Sequence, residues 1–157
     1  MIQGDEPMVY PQMIDLSLKP LRSKGKVKVV NLMAPIETAK ELEDRNTIKV
    51  VTDRQGRALY FSREAIPTRV RVKGQLSFFK QVCIIPYRRE FLLKFNSWQQ
   101  TPLEIAESID MLRVLENGED VQMVLTPFQT YSVDTPQDLI RVHKKMKKDL
   151  LFRKYKG

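Results

Sequence analysis

Cysteine and histidine are almost absent from this sequence, since Cys83 and His143 are the only residues of their kinds. A single cysteine cannot form an internal disulfide, which suits a reducing compartment and excludes a disulfide-stabilised secreted scaffold. One cysteine and one histidine also exclude a zinc cluster of these residues and argue against a cysteine–histidine nucleophile. We interpret Cys83 as a small buried residue of a strand and His143 as a solvated residue among lysines.

Long apolar runs and glycine-rich loops are missing as well. No run approaches the roughly 20 apolar residues that cross a bilayer, and residues 1–7 lack the basic and apolar regions of a signal peptide. The 6 glycines form neither Gly-x-Gly-x-x-Gly nor Gly-x-x-x-x-Gly-Lys-Ser/Thr, two common phosphate-binding patterns. We therefore expect a soluble cytoplasmic protein, and its 157 residues fit one domain with a modest core.

The sequence does carry an excess of positive charge, and nearly all of it lies at the C-terminal end. The chain carries +8 in total, and residues 141–157 hold 8 basic residues against the single acidic Asp149. Such a tail can bind phosphate backbones through counterion release, but it is more often the solvated face of a last helix. Because the remainder is close to neutral and the tail has few aromatic residues, nucleic acid is not the partner we favour. Binding of nucleic acid or another anionic surface through the tail stays open as an alternative function.

Short β-branched and aromatic runs predict strands at residues 27–32, 48–52, 58–62, 78–85 and 121–126. The turn signal at residues 53–56 predicts that the second and third strands form a hairpin. Residues 1–3 read as the end of a strand that runs into a turn at Gly4 and Asp5, as if the chain started within an element.

Helix signals alternate with these strands. Thr101-Pro102 is a capping sequence, and an apolar stripe from Ile105 to Leu115 follows it, so we predict one helix that ends at Gly118. The same capping pattern at residues 135–138 opens a helix into the basic tail, and shorter helices are predicted at residues 12–18 and 37–43. The alternation predicts a layered α/β domain, with a mixed sheet and flanking helices.

Carboxylate oxygens are the groups left to carry chemistry. Asp5 follows a strand end and a glycine, which is where α/β sheets present ligand-binding groups. Carboxylates so placed suit Mg²⁺, a hard ion that takes oxygen ligands and bridges to phosphates. On spacing alone, an Asx turn explains Asp5 more simply, and Asp134 is explained by a negative charge at the helix N-terminus beside Thr135.

Taken together, several segments resemble one family, the 3-deoxy-manno-octulosonate cytidylyltransferases (CMP-Kdo synthetases). They are residues 2–7 (IQGDEP), 48–51 (IKVV), 58–63 (ALYFSR), 66–67 (IP), 87–88 (YR), 101–104 (TPLE), 112–113 (LR) and 133–139 (VDTPQDL). Their order and spacing are retained over nearly the whole chain, so the set is specific. The resemblance implies the later part of a Rossmann-like nucleotidyltransferase fold.

The resemblance also implies a reaction, the transfer of CMP from CTP to the anomeric hydroxyl of an eight-carbon acidic sugar with release of pyrophosphate. In the family, the aspartates that match Asp5 and Asp134 bind Mg²⁺, and the positions that match Gln3 and Arg63 lie near the sugar acid. These residue types suit the roles, because a divalent ion offsets charge at the α-phosphate and an arginine fork fits a carboxylate. The family forms homodimers and acts in lipopolysaccharide biosynthesis, so we expect a homodimer.

The sequence departs from the family pattern in two ways. A basic loop of the kind Arg-x-x-x-x-Arg-Leu-x-Gly-Lys, which holds the nucleotide in the family, has no match in it, so we expect this chain alone to be poorly active or inactive. The family's sugar-binding His-x-Gly-Ile-Tyr is Gln81-Val82-Cys83-Ile84-Ile85, and its Glu-Gln before Leu-Arg is Asp110-Met111. Changed polar groups at Gln81, Ile85, Asp110 and Met111 predict an altered ulosonic acid, such as an amino-substituted one.

These expectations divide the chain into two parts. Residues 1–142 are predicted to be the sugar-acid, magnesium and dimerisation part of a cytidylyltransferase, and residues 143–157 a basic C-terminal helix or tail. A non-catalytic assembly remnant of the enzyme would share this fold and dimer, and it stays open as a further alternative. The sequence itself does not name the sugar.

Overall fold

The computed structural model describes residues 1–23, 25–70 and 76–155. The strands are β1 (Val30–Pro35), β2 (Lys49–Thr52), β3 (Ala58–Ser62), β4 (Phe79–Val82) and β5 (Gln122–Leu125). The helices are α1 (Pro11–Arg22), α2 (Ala39–Glu43), α3 (Arg89–Ser97), α4 (Pro102–Glu107), α5 (Met111–Glu116), α6 (Pro136–Met146) and α7 (Leu150–Tyr155).

The strands form one mixed sheet in the order β3-β2-β4-β1-β5. β1 pairs in parallel with β5, and the remaining neighbours pair antiparallel. The predicted hairpin of β2 and β3 is present, and its turn is closed by the Asp53 carboxylate, which accepts hydrogen bonds from the backbone N–H groups of Gln55 and Arg57 at 2.9 and 2.8 Å. Gly56 in this turn has φ +75°, a conformation that glycine adopts without strain. The layered α/β class with a mixed sheet is confirmed.

The sheet has an apolar core on each face. α1 covers one face, where Met13 packs with Leu32 and Val82. The other face carries Val50 and Phe61 and is covered by α3 and α5. Side chains alternate between the two faces along each strand, so β1 supplies both cores. The residues at the end of β1 and in β4 border a cleft at one end of these two cores.

The structure differs from the predicted elements at three places. The single helix predicted from residue 102 to Gly118 is wrong, because it breaks into α4 and α5 at Ser108, which adopts φ 54°. As a result Ile105 leaves the predicted apolar stripe and is 64% exposed, whereas Ile109 is buried. α3 was not predicted, although Phe91 and Phe95 lie one helical turn apart and are buried. The strand predicted over residues 78–85 is shorter, since β4 ends at residue 82.

The N-terminal residues pair with the segment that follows β4. Ile2 forms a single antiparallel bridge with Ile84, and residues 4–5 form a turn. At the other end α6 crosses the predicted boundary between residues 142 and 143, which stays a prediction, and the last two tail residues lie outside the described part. No helix in the described ranges has both the length and the apolar character needed to span a membrane.

Candidate functional site

A cleft of about 980 Å³ opens between the N-terminal turn, α2, the α4–α5 corner and the segment at residues 127–134. Six of the eight sequence-predicted site residues line it, and they are Gln3, Asp5, Arg63, Gln81, Asp110 and Asp134. The other two, Ile85 and Met111, do not line the cleft, because both are core residues with 1% and 0% exposure. The cleft therefore brings most of the predicted positions together from distant parts of the chain.

A backbone hydrogen bond joins the segments that carry Asp5 and Asp134. The backbone N–H of Val133 donates to the carbonyl oxygen of Asp5 at 2.9 Å, so the residue before Asp134 is tied to Asp5 itself. The Asp5 Oδ1 atom is buried and has no hydrogen-bond partner in the described part of the chain. Asp134 Oδ2 accepts a hydrogen bond from Ser132 Oγ at 2.8 Å. A buried carboxylate oxygen without a donor is costly unless a ligand completes it.

Negative charge accumulates around these two residues. Burial raises the pKa of Glu6 to about 7, and the charges of Asp5 and Asp134 add to the shift while Lys80 opposes it. Burial also raises the pKa of Cys83 to about 12, helped by the charges of Glu6, Asp5, Asp110 and Asp134. Cys83 is therefore a neutral thiol at pH 7, which agrees with its interpretation as a packing residue rather than a nucleophile.

The carboxylates of Asp5 and Asp134 fit a hard cation that keeps several water ligands. They fit less well a cation whose ligands all come from the protein. Among the residues that the structure describes, no group of three or more His, Cys, Asp or Glu side chains is arranged to hold a metal ion. Mg²⁺ keeps several water ligands and is commonly bound through one or two carboxylates and substrate phosphates. Asp5, with its unpartnered Oδ1, and the neighbouring Asp134 match this requirement in type and number.

Arg63 is held in the cleft wall by backbone carbonyl groups. Its Nε donates to the carbonyl of Glu107 at 2.6 Å, and its Nη1 and Nη2 donate to the carbonyls of Arg45 and Ser108 at 3.0 and 3.2 Å. A guanidinium has five N–H donors, so these three bonds leave two. The buried Lys49 Nζ donates to the carbonyl oxygen of Arg63, which fixes the backbone as well.

Gln81 and Asp110 are polar residues of the cleft at positions where the sequence departs from the family pattern. Gln81 Nε2 donates to Asn31 Oδ1 at 2.6 Å, and Asn31 is fully buried in β1. Burial raises the pKa of Asp110, and the charge of Glu104 adds to the shift, against hydrogen bonds from backbone N–H groups and the charge of Arg113.

Apart from Arg63, the lysine and arginine side chains at the cleft were not identified from the sequence. Lys80 pairs with Glu41 at 2.5 Å, and Arg141 pairs with Asp138 at 2.8 Å. Lys145 Nζ lies 4.2 Å from the ring centroid of Tyr131, so part of the basic α6 is attached to the cleft wall. Glu6 was also missed, although it lies in the matched segment at residues 2–7.

The matched segments at residues 101–104 and 112–113 are joined by a buried ion pair. Arg113 Nε and Nη2 donate to Glu104 Oε2 and Oε1 at 2.7 and 2.5 Å. The two side chains are only 14% and 6% exposed, and the guanidinium lies 4.5 Å from the ring centroid of Phe95. The pair holds α4 against α5 and so fixes the corner that carries Asp110 and Ser108.

Comparison with known proteins places this chain among the cytidylyltransferases. A family model described as cytidylyltransferase matches residues 1–121. The 3-deoxy-manno-octulosonate cytidylyltransferase of Geobacter metallireducens is 41% identical over 155 residues, which cover 92% of this chain and 61% of that protein. The protein of the same name from Solibacter usitatus is 41% identical over 150 residues, covering 96% of this chain and 60% of that protein.

A solved structure agrees with the sequence comparison. The structure of CMP:2-keto-3-deoxy-manno-octonic acid synthetase complexed with CTP matches with a TM-score of 0.85 and 33% identity, covering 95% of this chain and 61% of that chain. This chain spans about three fifths of the length of the relatives it matches.

Proposed function

Because this chain belongs to the cytidylyltransferase family, in its CMP-Kdo synthetase branch, we propose that it supplies the sugar-acid and divalent-ion site for transfer of CMP from CTP to an eight-carbon ulosonic acid. In this reaction the anomeric oxygen of the sugar forms a bond to the α-phosphorus of CTP, the bond to the bridging oxygen breaks, and pyrophosphate leaves. The observation that carries the proposal is the convergence of Asp5 and Asp134 in one cleft, with a buried Asp5 oxygen that no described residue satisfies.

We assign Asp5 and Asp134 as the residues that would hold Mg²⁺. When bound, the ion supplies positive charge that offsets the negative charge of the reacting phosphate. The protein's own contribution is positional, because the bond between Val133 and Asp5 joins the two segments that carry these carboxylates at the cleft before any ligand binds. Arg63 would bind the sugar carboxylate with its two remaining N–H donors, and Gln3 lies in the same cleft.

The sugar itself is proposed to be an altered ulosonic acid. Of the four departures from the family pattern, only Gln81 and Asp110 line the cleft, so these two would change the pocket, whereas Ile85 and Met111 lie in the core. The carboxylates of the cleft create a negative field, which favours a positively charged substituent over a neutral one. An amino-substituted 3-deoxy-manno-octulosonate fits this field better than the parent sugar.

The decisive experiment transplants this chain into an active relative. In the Geobacter metallireducens protein, the region that matches this chain is replaced by the 157 residues, and pyrophosphate release is measured with CTP and ulosonic acids. We expect Mg²⁺-dependent release that falls at least about 100-fold in the variants Asp5→Asn and Asp134→Asn. The control is Asp15→Asn, on the exposed surface of α1, which should leave the rate unchanged. A folded chimera that is inactive with every ulosonic acid, or unaffected by Asp5→Asn, would refute the proposal.

Two further expectations concern this chain by itself. We expect little or no CMP transfer without the triphosphate-binding loop of the relatives, and a CTP titration checks this, because saturable micromolar binding would place the nucleotide site within these 157 residues. We also propose a homodimer, and light scattering during gel filtration measures its mass directly.

A further inference from the structure

The orientation of one buried amide can be assigned from its partners. Asn31 Nδ2 donates to the backbone carbonyls of Val82 and Leu32 at 2.7 and 2.9 Å, and the residue is completely buried. Carbonyl oxygens only accept hydrogen bonds. Turning the Asn31 amide over would place its oxygen against two carbonyl oxygens, so its Oδ1 must be the atom that points the other way.

This assignment determines the orientation of a second amide, in the cleft. Gln81 lies 2.6 Å from Asn31 Oδ1, and only its Nε2 can donate to that oxygen. The remaining polar atom of the Gln81 amide is Oε1. Within the described ranges no donor reaches Oε1, and it is not among the buried polar atoms that lack a partner. Since Gln81 lines the cleft, Oε1 is accessible to a ligand there.

We propose that Asn31 is a positioning residue that fixes Gln81 with Oε1 towards the substrate, and that Gln81 thereby selects a sugar acid with a hydrogen-bond donor at that point. The inference rests on the proposed function, because it deepens the description of the same site. It differs from the family pattern, where the corresponding histidine can present either a donor or an acceptor nitrogen. In this chain the group at that position is the acceptor Oε1 of Gln81, because two backbone carbonyls fix the orientation of Asn31 and Asn31 fixes that of Gln81.

The surroundings of Gln81 favour the same polarity. Cys83 lies two residues along the chain, beyond the end of β4, and the charges of Glu6, Asp5, Asp110 and Asp134 are close enough to raise its pKa. A substrate group that donates hydrogen bonds, and above all an ammonium group, is stabilised by such neighbours. A substrate group that can only accept hydrogen bonds would face Oε1 and the carboxylates, which are acceptors themselves, and would be repelled.

The first test needs no substrate. In isotope-labelled protein, NMR should detect a scalar coupling across the hydrogen bond from the Gln81 side-chain amide to the side-chain carbonyl carbon of Asn31. A Gln81 amide that rotates freely, with no coupling to Asn31, would overturn the inference and leave the proposed function untouched.

The second test uses ligands of defined polarity. The probes are 3-deoxy-manno-octulosonate and analogues in which each hydroxyl other than the anomeric one is replaced by an amino group, which donates, or by fluorine, which does not. At one position we expect the amino analogue to bind at least as tightly as the parent and the fluoro analogue about 10-fold more weakly, as for the loss of one hydrogen bond. In Gln81→Met this difference should disappear.

The variant Asn31→Leu separates positioning from stability. If it folds, Gln81 keeps its side chain but loses its fixed orientation, so the ratio between amino and fluoro affinities should fall even where overall affinity changes little. Equal affinity of wild-type protein for amino and fluoro analogues at every position would overturn the inference. Absence of binding by every ulosonic acid would refute the proposed function and this role of Gln81 together, while the coupling to Asn31 would still establish the amide orientation.

Discussion

The N-terminal turn and the α4–α5 corner both contribute a glutamate to the cleft, but the two environments act on the carboxylate in opposite ways. Burial and the charges of Asp5 and Asp134 raise the pKa of Glu6 to about 7. Hydrogen bonds from Arg113 lower the pKa of Glu104, although burial alone would raise it. The α4–α5 corner thus provides an ion-paired cation for Glu104. At the N-terminal turn the charge of Lys80 acts on Glu6, but Lys80 forms its ion pair with Glu41 instead.

The same difference extends to the neighbours of each residue. In the described part of the chain, Asp5, Glu6, Asp110 and Asp134 form no ion pair with lysine or arginine. Carboxylates that are gathered without ion-paired cations oppose folding, which supports the ligand-binding role proposed for Asp5 and Asp134. Carboxylates with arginine partners hold elements together. Substitutions at the two places should therefore separate binding from stability.

The largest effect is expected for Asp5→Asn and appears in metal affinity. The substitution removes a proposed metal ligand and one of several like charges, so Mn²⁺, used as a spectroscopic substitute for Mg²⁺, should bind at least about 100-fold more weakly. The free energy of unfolding should stay the same or rise, because the native Asp5 Oδ1 has no partner to lose. Electron paramagnetic resonance of free Mn²⁺ and urea unfolding measure the two quantities. Destabilisation with unchanged Mn²⁺ affinity would mean that Asp5 is structural.

At the α4–α5 corner the effect should be on stability instead. Glu104→Gln leaves the buried Arg113 guanidinium without its ion-paired partner, and breaking a buried pair in this way costs about 3 kcal/mol or more. The matched control is Glu43→Gln, because Glu43 pairs with Arg69 at the surface, where both side chains are at least half exposed, and the loss there should be well under 1 kcal/mol. Equal losses in urea unfolding would contradict the distinction between the two pairs.

Asp138 lies in the cleft like the unpaired carboxylates but has hydrogen-bond partners like Glu104, so it tests which of the two features determines its role. It lines the cleft beside Asp134, yet Thr135 and Arg141 donate to its carboxylate at 2.7 and 2.8 Å, which closes the start of α6. We expect Asp138→Ala to lower the free energy of unfolding by about 1 kcal/mol, as for loss of a helix cap, and to change Mn²⁺ affinity by less than about 3-fold. A loss of metal affinity as large as that of Asp5→Asn would show that location matters more than partners.

Local patterns predicted most of the elements that build this comparison. The hairpin follows from the turn at residues 53–56, and the start of α6 follows from Thr135 and Pro136. The break at Ser108 did not follow, because the apolar spacing fits one continuous helix and a left-handed serine has no signal of its own. α3 was within reach of the sequence, since Phe91 and Phe95 have helical spacing.

The candidate site was predicted from the resemblance to a family and not from the spacing of residues along the sequence. Asp5 and Asp134 each have an ordinary local explanation, and only the backbone bond between Val133 and Asp5 brings them together. Such a contact joins segments that are far apart in the sequence, so no local pattern encodes it. Gln81 lies in the cleft and Ile85 lies in the core. This difference depends on where β4 ends and not on the residue types.

The smallest expected effect is that of Asp110 on stability, and it shows in the pH dependence when Asp110 is compared with Glu104 on the other side of the Ser108 break. The folded-state pKa of Glu104 is lowered, so its stabilisation is present above the ordinary glutamate pKa of about 4.3 and is lost as the pH falls through the folded value. The folded-state pKa of Asp110 is raised, with burial as the main cause. Stability linked to Asp110 is therefore present below the ordinary aspartate pKa of about 3.9 and is lost as the pH rises through the folded value.

These signs predict opposite behaviour of two conservative variants in urea unfolding across the acidic range. Asp110→Asn should be slightly more stable than the wild type near neutral pH, and the difference should vanish well below the ordinary aspartate pKa. Glu104→Gln should be less stable near neutral pH and should approach the wild type in acid. If both variants ran parallel to the wild type, neither carboxylate would have a shifted pKa in the folded protein. An unpaired charge in a ligand-free cleft does not stabilise the folded protein. A loss of stability in Asp110→Asn near neutral pH would therefore show that the Asp110 carboxylate has a stabilising partner, as Glu104 has.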